Sequence, residues 1–260
     1  MSAALLVVSF GTTHPEAIEK AIVPTENAIR AVFSRVPFYR AFTSSVVRSR
    51  LEQAQGIRVE DVAQALDRIR RDGHSHVLVQ PTMIFPGTEY DKLRTAVSNC
   101  GQGLCCTLGS PLLSCEEDLD RLVSLLRQIY PVEADTGLLL MGHGTDNGAN
   151  GLYEGLSRRM ESLPMGLCTA GGSPTFAEGA ARMKALGVQQ VRLAPLLLVA
   201  GAHAAKDMAG TSPGSLRCLL EEQGFSVTPM LQGLGELDAV RQMYADNARR
   251  AFSHLISTIC

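Results

Sequence analysis

One spacing runs through this sequence twice. Gly73, Val77, Pro81 and Gly87 recur 114 residues later as Gly187, Val191, Pro195 and Gly201, so that VAQALDRIRRDGHSHVLVQPTMIFPG aligns without a gap on FAEGAARMKALGVQQVRLAPLLLVAG. Self-similarity at one offset over this length requires each copy to be the same supersecondary unit. The chain is therefore restricted to folds built from two like halves. Each copy reads as a helix, a glycine stop, an apolar strand, a proline, more strand and a glycine turn.

The helix reading rests on Val62, Ala65, Leu66 and Ile69, which share one face at spacings of three and four, with Gly73 just past the end. The strand reading rests on short continuous apolar runs at residues 5–8, 77–79, 138–141 and 191–199. Such runs suit strands buried on both faces, as in a parallel sheet with helices on each side. The expected fold is α/β, with two tandem doubly wound parallel-sheet lobes of Rossmann-like plan and a cleft between them. Residues 1–135 form the first lobe and 136–260 the second, divided in the loop VEADTG. An amphipathic final helix begins near Leu237, and whether it packs back on the first lobe stays open.

Composition narrows the function classes. The 260 residues are 45% hydrophobic and 19% charged, which describes a globular chain rather than a disordered one. Basic and acidic residues balance at 24 against 26 with no long Lys/Arg run, so neither a nucleic acid nor a membrane is expected as partner. The start, MSAALLVVSFG, has no basic leader and reaches a turn too soon for a signal peptide or spanning helix, so it reads as the first strand of a cytoplasmic protein. Seven cysteines without a CxxC pair suggest neither a disulfide framework nor a zinc knuckle. Homo-oligomerisation is left open.

In doubly wound sheets ligands gather beyond the carboxyl ends of the strands. The stretch LLLMGHGTDN puts His143 in such a turn, and LLVVSFGTTH puts Ser9, Phe10, Gly11 and Thr12 at the matching place in the first half. Adding 114 to Glu89, in PGTEYDK, gives His203, in AGAHAAKDM. If the halves face each other across the cleft, Glu89, His143 and His203 converge. Each has a plainer reading, since a Gly-His-Gly imidazole can simply bond backbone and a helix-start glutamate can simply answer the macrodipole. Together, two imidazoles and a carboxylate form a borderline donor set for Fe, Co, Ni or Zn, and the same groups accept protons near neutral pH. A metal-dependent hydrolase ranks low, because no further Asp/Glu motif supplies a second metal or a water-activating base. Neither SFGTT nor GHGTD matches GxGxxG or a Walker A loop, so no nucleotide is expected.

At LLVVSFGTT, YRAFTSS with the following VVRSRL, PGTEYDK, LGSPLL, LLLMGHGT, PLLLVAGAHAAKDMAG and LQGLGE the chain resembles, nearly end to end, the anaerobic sirohydrochlorin cobaltochelatases of cobalamin biosynthesis. These are class II chelatases related in fold to ferrochelatase. The resemblance implies that His143 and His203 bind the metal, with Glu89 as acidic partner. It also implies insertion of Co²⁺, with Ni²⁺ or Fe²⁺ as alternatives, into sirohydrochlorin or precorrin-2 without ATP. The eight carboxylates of that macrocycle call for backbone N–H groups, hydroxyls and cations, and the candidates are Ser9, Phe10, Gly11, Thr12, Thr13, Arg40, Ser44, Ser45 and Lys206. Two departures from the family bear on metal preference: Met83 stands where relatives carry histidine, and Gly171 stands near the place of an acid. They are the support for an alternative, a non-catalytic carrier of tetrapyrrole or metal.

Overall fold

Both halves of the repeat fold into four-stranded parallel sheets of the same order. In the computed structural model, which describes residues 2–99, 103–144 and 150–259, the first half supplies β1 (Ala3–Ser9), β2 (Phe38–Phe42), β3 (His76–Pro81) and β4 (Cys105–Leu108). The second supplies β5 (Thr136–Gly142), β6 (Met165–Thr169), β7 (Gln190–Pro195) and β8 (Ser226–Pro229). The orders are β2-β1-β3-β4 and β6-β5-β7-β8. Registers repeat as well: Ala4 pairs with Val77 and Gly137 with Val191. The central strands are apolar on both faces because helices cover both, and every residue of β5 is buried.

Helices of the first half are α1 (Pro15–Ala17), which runs through a π-helical stretch, Ile18–Ile22, into α2 (Val23–Val32), then α3 (Ser45–Gln55), α4 (Val62–Arg71) and α5 (Thr88–Ser98). The second half has α6 (Glu116–Ile129), α7 (Asn150–Met160), α8 (Phe176–Ala185), a π-helix at Ala204–Met208 and α9 (Leu216–Glu222). A short 3₁₀ turn at Leu234–Glu236 precedes α10 (Asp238–Ile259). Val62, Ala65, Leu66 and Ile69 form the buried face of α4. The repeat extends to the caps: α4 starts with a capping box of Asp61 and Gln64, and α8 starts with one of Thr175 and Glu178, 114 residues on. Each box satisfies two backbone donors that the first helical turn leaves unpaired.

The apolar run at residues 191–199 is not one strand. β7 stops at Pro195, and β3 stops at the equivalent Pro81. Proline brings no N–H to the ladder. Beyond it the chain turns away, and its carbonyls at Met83 and Leu197 accept instead from Leu112 and Leu234, in the segments after β4 and β8.

By its contacts the chain divides into one unit of Met1–Ser114 with Asp238–Cys260 and another of Cys115–Leu237. Helix α6, which a division near residue 135 assigns to the first half, groups with the second. The Arg159 guanidinium of α7 bonds the carboxylates of Glu116 and Asp120 at 2.7 and 2.6 Å. Helix α10 groups with the first unit. The buried Tyr244 hydroxyl donates to the Thr82 carbonyl at 2.8 Å, the Asn247 amide donates to the Pro111 carbonyl at 2.6 Å, and the Phe252 ring packs on Phe33 at 4.8 Å between centroids. Among the described residues no helix is long and apolar enough to cross a membrane.

Candidate functional site

The loops beyond the carboxyl ends of the strands carry the same backbone bonds in both units. Thr43 N–H donates to Ser9 and Ser44 N–H to Phe10 in the first; Ala170 N–H donates to Gly142 and Gly171 N–H to His143 in the second. Gly87 N–H reaches Phe85, as Gly201 N–H reaches Val199. The turns after β1 and β5 both need glycine, with φ of 93° at Gly11 and 88° at Gly144. At Gly144 a side chain is also excluded by space, because its Cβ would lie 1.5 Å from the Gly171 carbonyl oxygen. The two loops thus pack backbone on backbone under His143.

His143 leaves the sheet at the end of β5 with its side chain exposed. Its turn is braced from α7. The Tyr153 hydroxyl accepts the Gly144 N–H at 3.3 Å, and the ring fills the space that a Cβ on Gly142 would take, 2.8 Å away. Burial pushes the Tyr153 phenol up to about 12, so this brace stays a neutral hydroxyl through the physiological range. Thr145 and Asp146 of the GHGTD motif lie outside the described residues.

His203 sits at the start of the π-helix, which Ala204 and Met208 anchor by burial. Its Nδ1 lies 2.6 Å from Oδ2 of Asp207. The rings of His143 and His203 meet edge to face, 4.9 Å between centroids at 85°. With metal–nitrogen bonds of about 2.1 Å, two imidazoles on one ion place their ring centres about 4.5 to 5.2 Å apart for angles between square and tetrahedral. The observed separation lies within that range. Among the described residues no group of three or more His, Cys, Asp or Glu side chains is placed to hold a metal.

Glu89 belongs to the first unit, in the first turn of α5. Its Oε2 accepts from the Thr43 hydroxyl at 2.8 Å and its Oε1 from the Lys92 ammonium at 2.6 Å. Thr43, Asp207 and Tyr153 are additions to the residues singled out by sequence. Asp207 had a local signal, four residues after His203 on a helical segment. Thr43 adjoins Ser44 and Ser45, whereas nothing near Tyr153 in the chain announces its reach to Gly144.

Several substrate-binding candidates are occupied within the fold. Ser9 is buried and its hydroxyl accepts from Thr82 at 2.8 Å; Thr12 is buried and accepts the His14 N–H at 3.3 Å; Ser44 caps α3 by accepting the Val47 N–H at 3.2 Å. The Arg40 guanidinium is committed to Glu26, through Nε to Oε1 at 2.7 Å and through a second short bond to Oε2. These four build the first unit rather than present open groups. Phe10, Ser45 and Lys206 are exposed, and Gly11 and Thr13 are partly exposed. Phe10 at 50%, in the turn after β1, and Val46 at 57%, in the first turn of α3, are unusually open for their size. Met83 packs on the core of the first unit, and Gly171 supports His143 through its N–H.

The chain matches the protein family described as Cobalt chelatase (CbiK) over residues 3–253. It is 35% identical to a sirohydrochlorin cobaltochelatase of Salmonella typhimurium over 257 residues, 97% of each chain. It is 32% identical to the sirohydrochlorin cobaltochelatase CbiKC of Nitratidesulfovibrio vulgaris over 258 residues, 96% of this chain and 91% of that one. Among solved structures it shares its fold with SirB from Bacillus subtilis with Fe³⁺, at a TM-score of 0.66, 15% identity and 96% coverage of both chains.

Proposed function

This chain belongs to the cobalt chelatase (CbiK) family, and from that premise we propose that it inserts Co²⁺ into sirohydrochlorin without ATP, with His143 and His203 as the residues that carry the ion. The observation that supports this most is the imidazole pair, two rings in contact at the carboxyl ends of β5 and β7. Two neutral imidazoles suit Co²⁺ and leave most of its coordination positions open. A resident metal would be closed in, whereas an ion in transit must stay accessible to four pyrrole nitrogens.

Insertion exchanges two pyrrole N–H bonds for bonds to the metal, so each turnover releases two protons. As the ion passes to the macrocycle, the lone pairs that held it are freed, and two imidazoles can take two protons. Glu89, at the position of the first unit equivalent to His203, is the acidic partner in this proposal, held by Thr43 and Lys92. No step needs a phosphoryl donor. Phe10 offers an aromatic face to the ring system, while the exposed Ser45 and Lys206 and the backbone N–H groups of the glycine turn answer its carboxylates.

The test is insertion by His143→Ala and His203→Ala, followed by the absorbance of sirohydrochlorin under anaerobic conditions. Either change should abolish insertion while the macrocycle still binds. A variant with wild-type activity would remove that histidine from the proposal.

A further inference from the structure

We propose that Asp207 is a positioning residue, which fixes the proton of His203 on Nδ1 and so turns the Nε2 lone pair to the metal. This rests on His203 being a ligand, as argued above. The two atoms are 2.6 Å apart, and a carboxylate has no proton to give, so the bond runs from Nδ1–H of His203 to Oδ2 of Asp207. A neutral imidazole has one lone pair, and with Nδ1 protonated it lies on Nε2.

The surrounding segment is built to hold this bond. In the π-helix the Ala209 N–H closes on the Ala204 carbonyl at 3.0 Å, a geometry that recurs at functional sites. Gly210 ends it where any Cβ would fall 2.2 Å from the Lys206 carbonyl oxygen. Buried Ala204 and Met208 seat the segment on the core of the second unit. Among the described residues, the contact at His143 Nδ1 is the Gly144 carbonyl at 3.4 Å. Because the side chains of His203 and Asp207 are 53% and 44% exposed, their bond contributes little to folding, and substitutions at 207 leave the protein folded.

The experiment uses the full chain labelled with ¹⁵N-histidine at pH 8.5, where long-range ¹H–¹⁵N correlations identify the protonated nitrogen, and the His203 signals are assigned by their loss in His203→Ala. Wild type should show the Nδ1–H form and Asp207→Ala the Nε2–H form that free imidazole side chains favour. Asp207→Asn, whose amide oxygen still accepts, should keep the wild-type form. In parallel, Co²⁺ titration followed by ligand-field absorption should show Asp207→Ala binding about 10- to 100-fold more weakly, with Asp207→Asn recovering most of the loss. An Nε2–H ring in wild type, or equal Co²⁺ affinity in wild type and Asp207→Ala, would overturn the assignment. Failure of wild type to bind Co²⁺ at all would instead remove the ligand role of His203, with the tautomer result still deciding what Asp207 does to the ring.

Discussion

Replacing Arg40 by alanine strands the carboxylate of Glu26, which lies on α2 with its side chain only 2% exposed. Burial raises its pKa above the ordinary value of 4.5, and the hydrogen bond and charge of Arg40 oppose that rise. Without Arg40 the carboxylate has two choices, to stay charged in the interior or to take a proton. Protonation sets a ceiling on the cost, at about 1.4 kcal/mol for each pH unit above the unfolded value. From 4.5 to pH 7.5 is three units, so the loss in Arg40→Ala is bounded at about 4 kcal/mol there and at about 1.4 kcal/mol at pH 5.5, and it falls below both bounds because the wild-type value is itself raised. Arg30, which also lowers the Glu26 value, will keep the loss somewhat under that ceiling. The sign follows from the direction of the shift. A carboxylate whose folded pKa is raised contributes stability that is full below the unfolded value and lost as pH rises through the folded one. Removing Arg40 raises the folded value further, so the gap between wild type and variant widens as pH rises through the wild type's own raised value. Urea unfolding at pH 5.5, 6.5 and 7.5 measures it, and Glu26→Gln with Arg40→Ala should recover most of the loss and flatten its pH dependence. A deficit independent of pH, or a double variant no better than the single one, would refute the idea that a stranded charge is the cause.

Gly73 and Gly144 separate backbone strain from crowding. Gly73→Ala meets no atom within 4 Å at φ of 85° and should cost about 1–2 kcal/mol in urea unfolding with insertion kept, whereas Gly144→Ala must push the Gly171 carbonyl aside and should lose insertion as well. Tyr244→Phe leaves the buried Thr82 carbonyl without its hydroxyl donor and should lower the unfolding free energy by about 1–2 kcal/mol. Thr43→Val removes one of the two donors on Glu89 and should slow insertion several-fold without moving the urea midpoint by more than about 0.5 M.

The offset of 114 made the two like halves legible before any coordinates, and the spacing of three and four made the α4 face so. Sheet order was not, because a continuous apolar run records burial on both faces but no neighbours. The strand ends were misread where Pro81 and Pro195 sit inside apolar stretches: hydropathy continues past the residue at which the ladder stops. What escaped entirely were contacts between residues far apart in sequence. Arg40 reads as a free cation until Glu26 is found beside it, and Tyr153 shows no sign of its bond to Gly144. One tie of α6 to the second unit is the bond from Arg159 to Asp120, 39 residues away, and no local pattern encodes it. Asp207 is the opposite case, visible at four residues from His203 to anyone asking which group orients the ring.

The central claim is tested most directly by turnover. Anaerobic sirohydrochlorin in large excess over protein, mixed in separate cuvettes with Co²⁺, Ni²⁺ and Fe²⁺ and compared with protein-free controls, reports insertion by the change in absorbance. The account predicts many cycles per protein molecule with Co²⁺, at a rate well above the control. Tight binding of the macrocycle with at most one metal inserted per chain, for all three ions, would contradict it and make the protein a carrier.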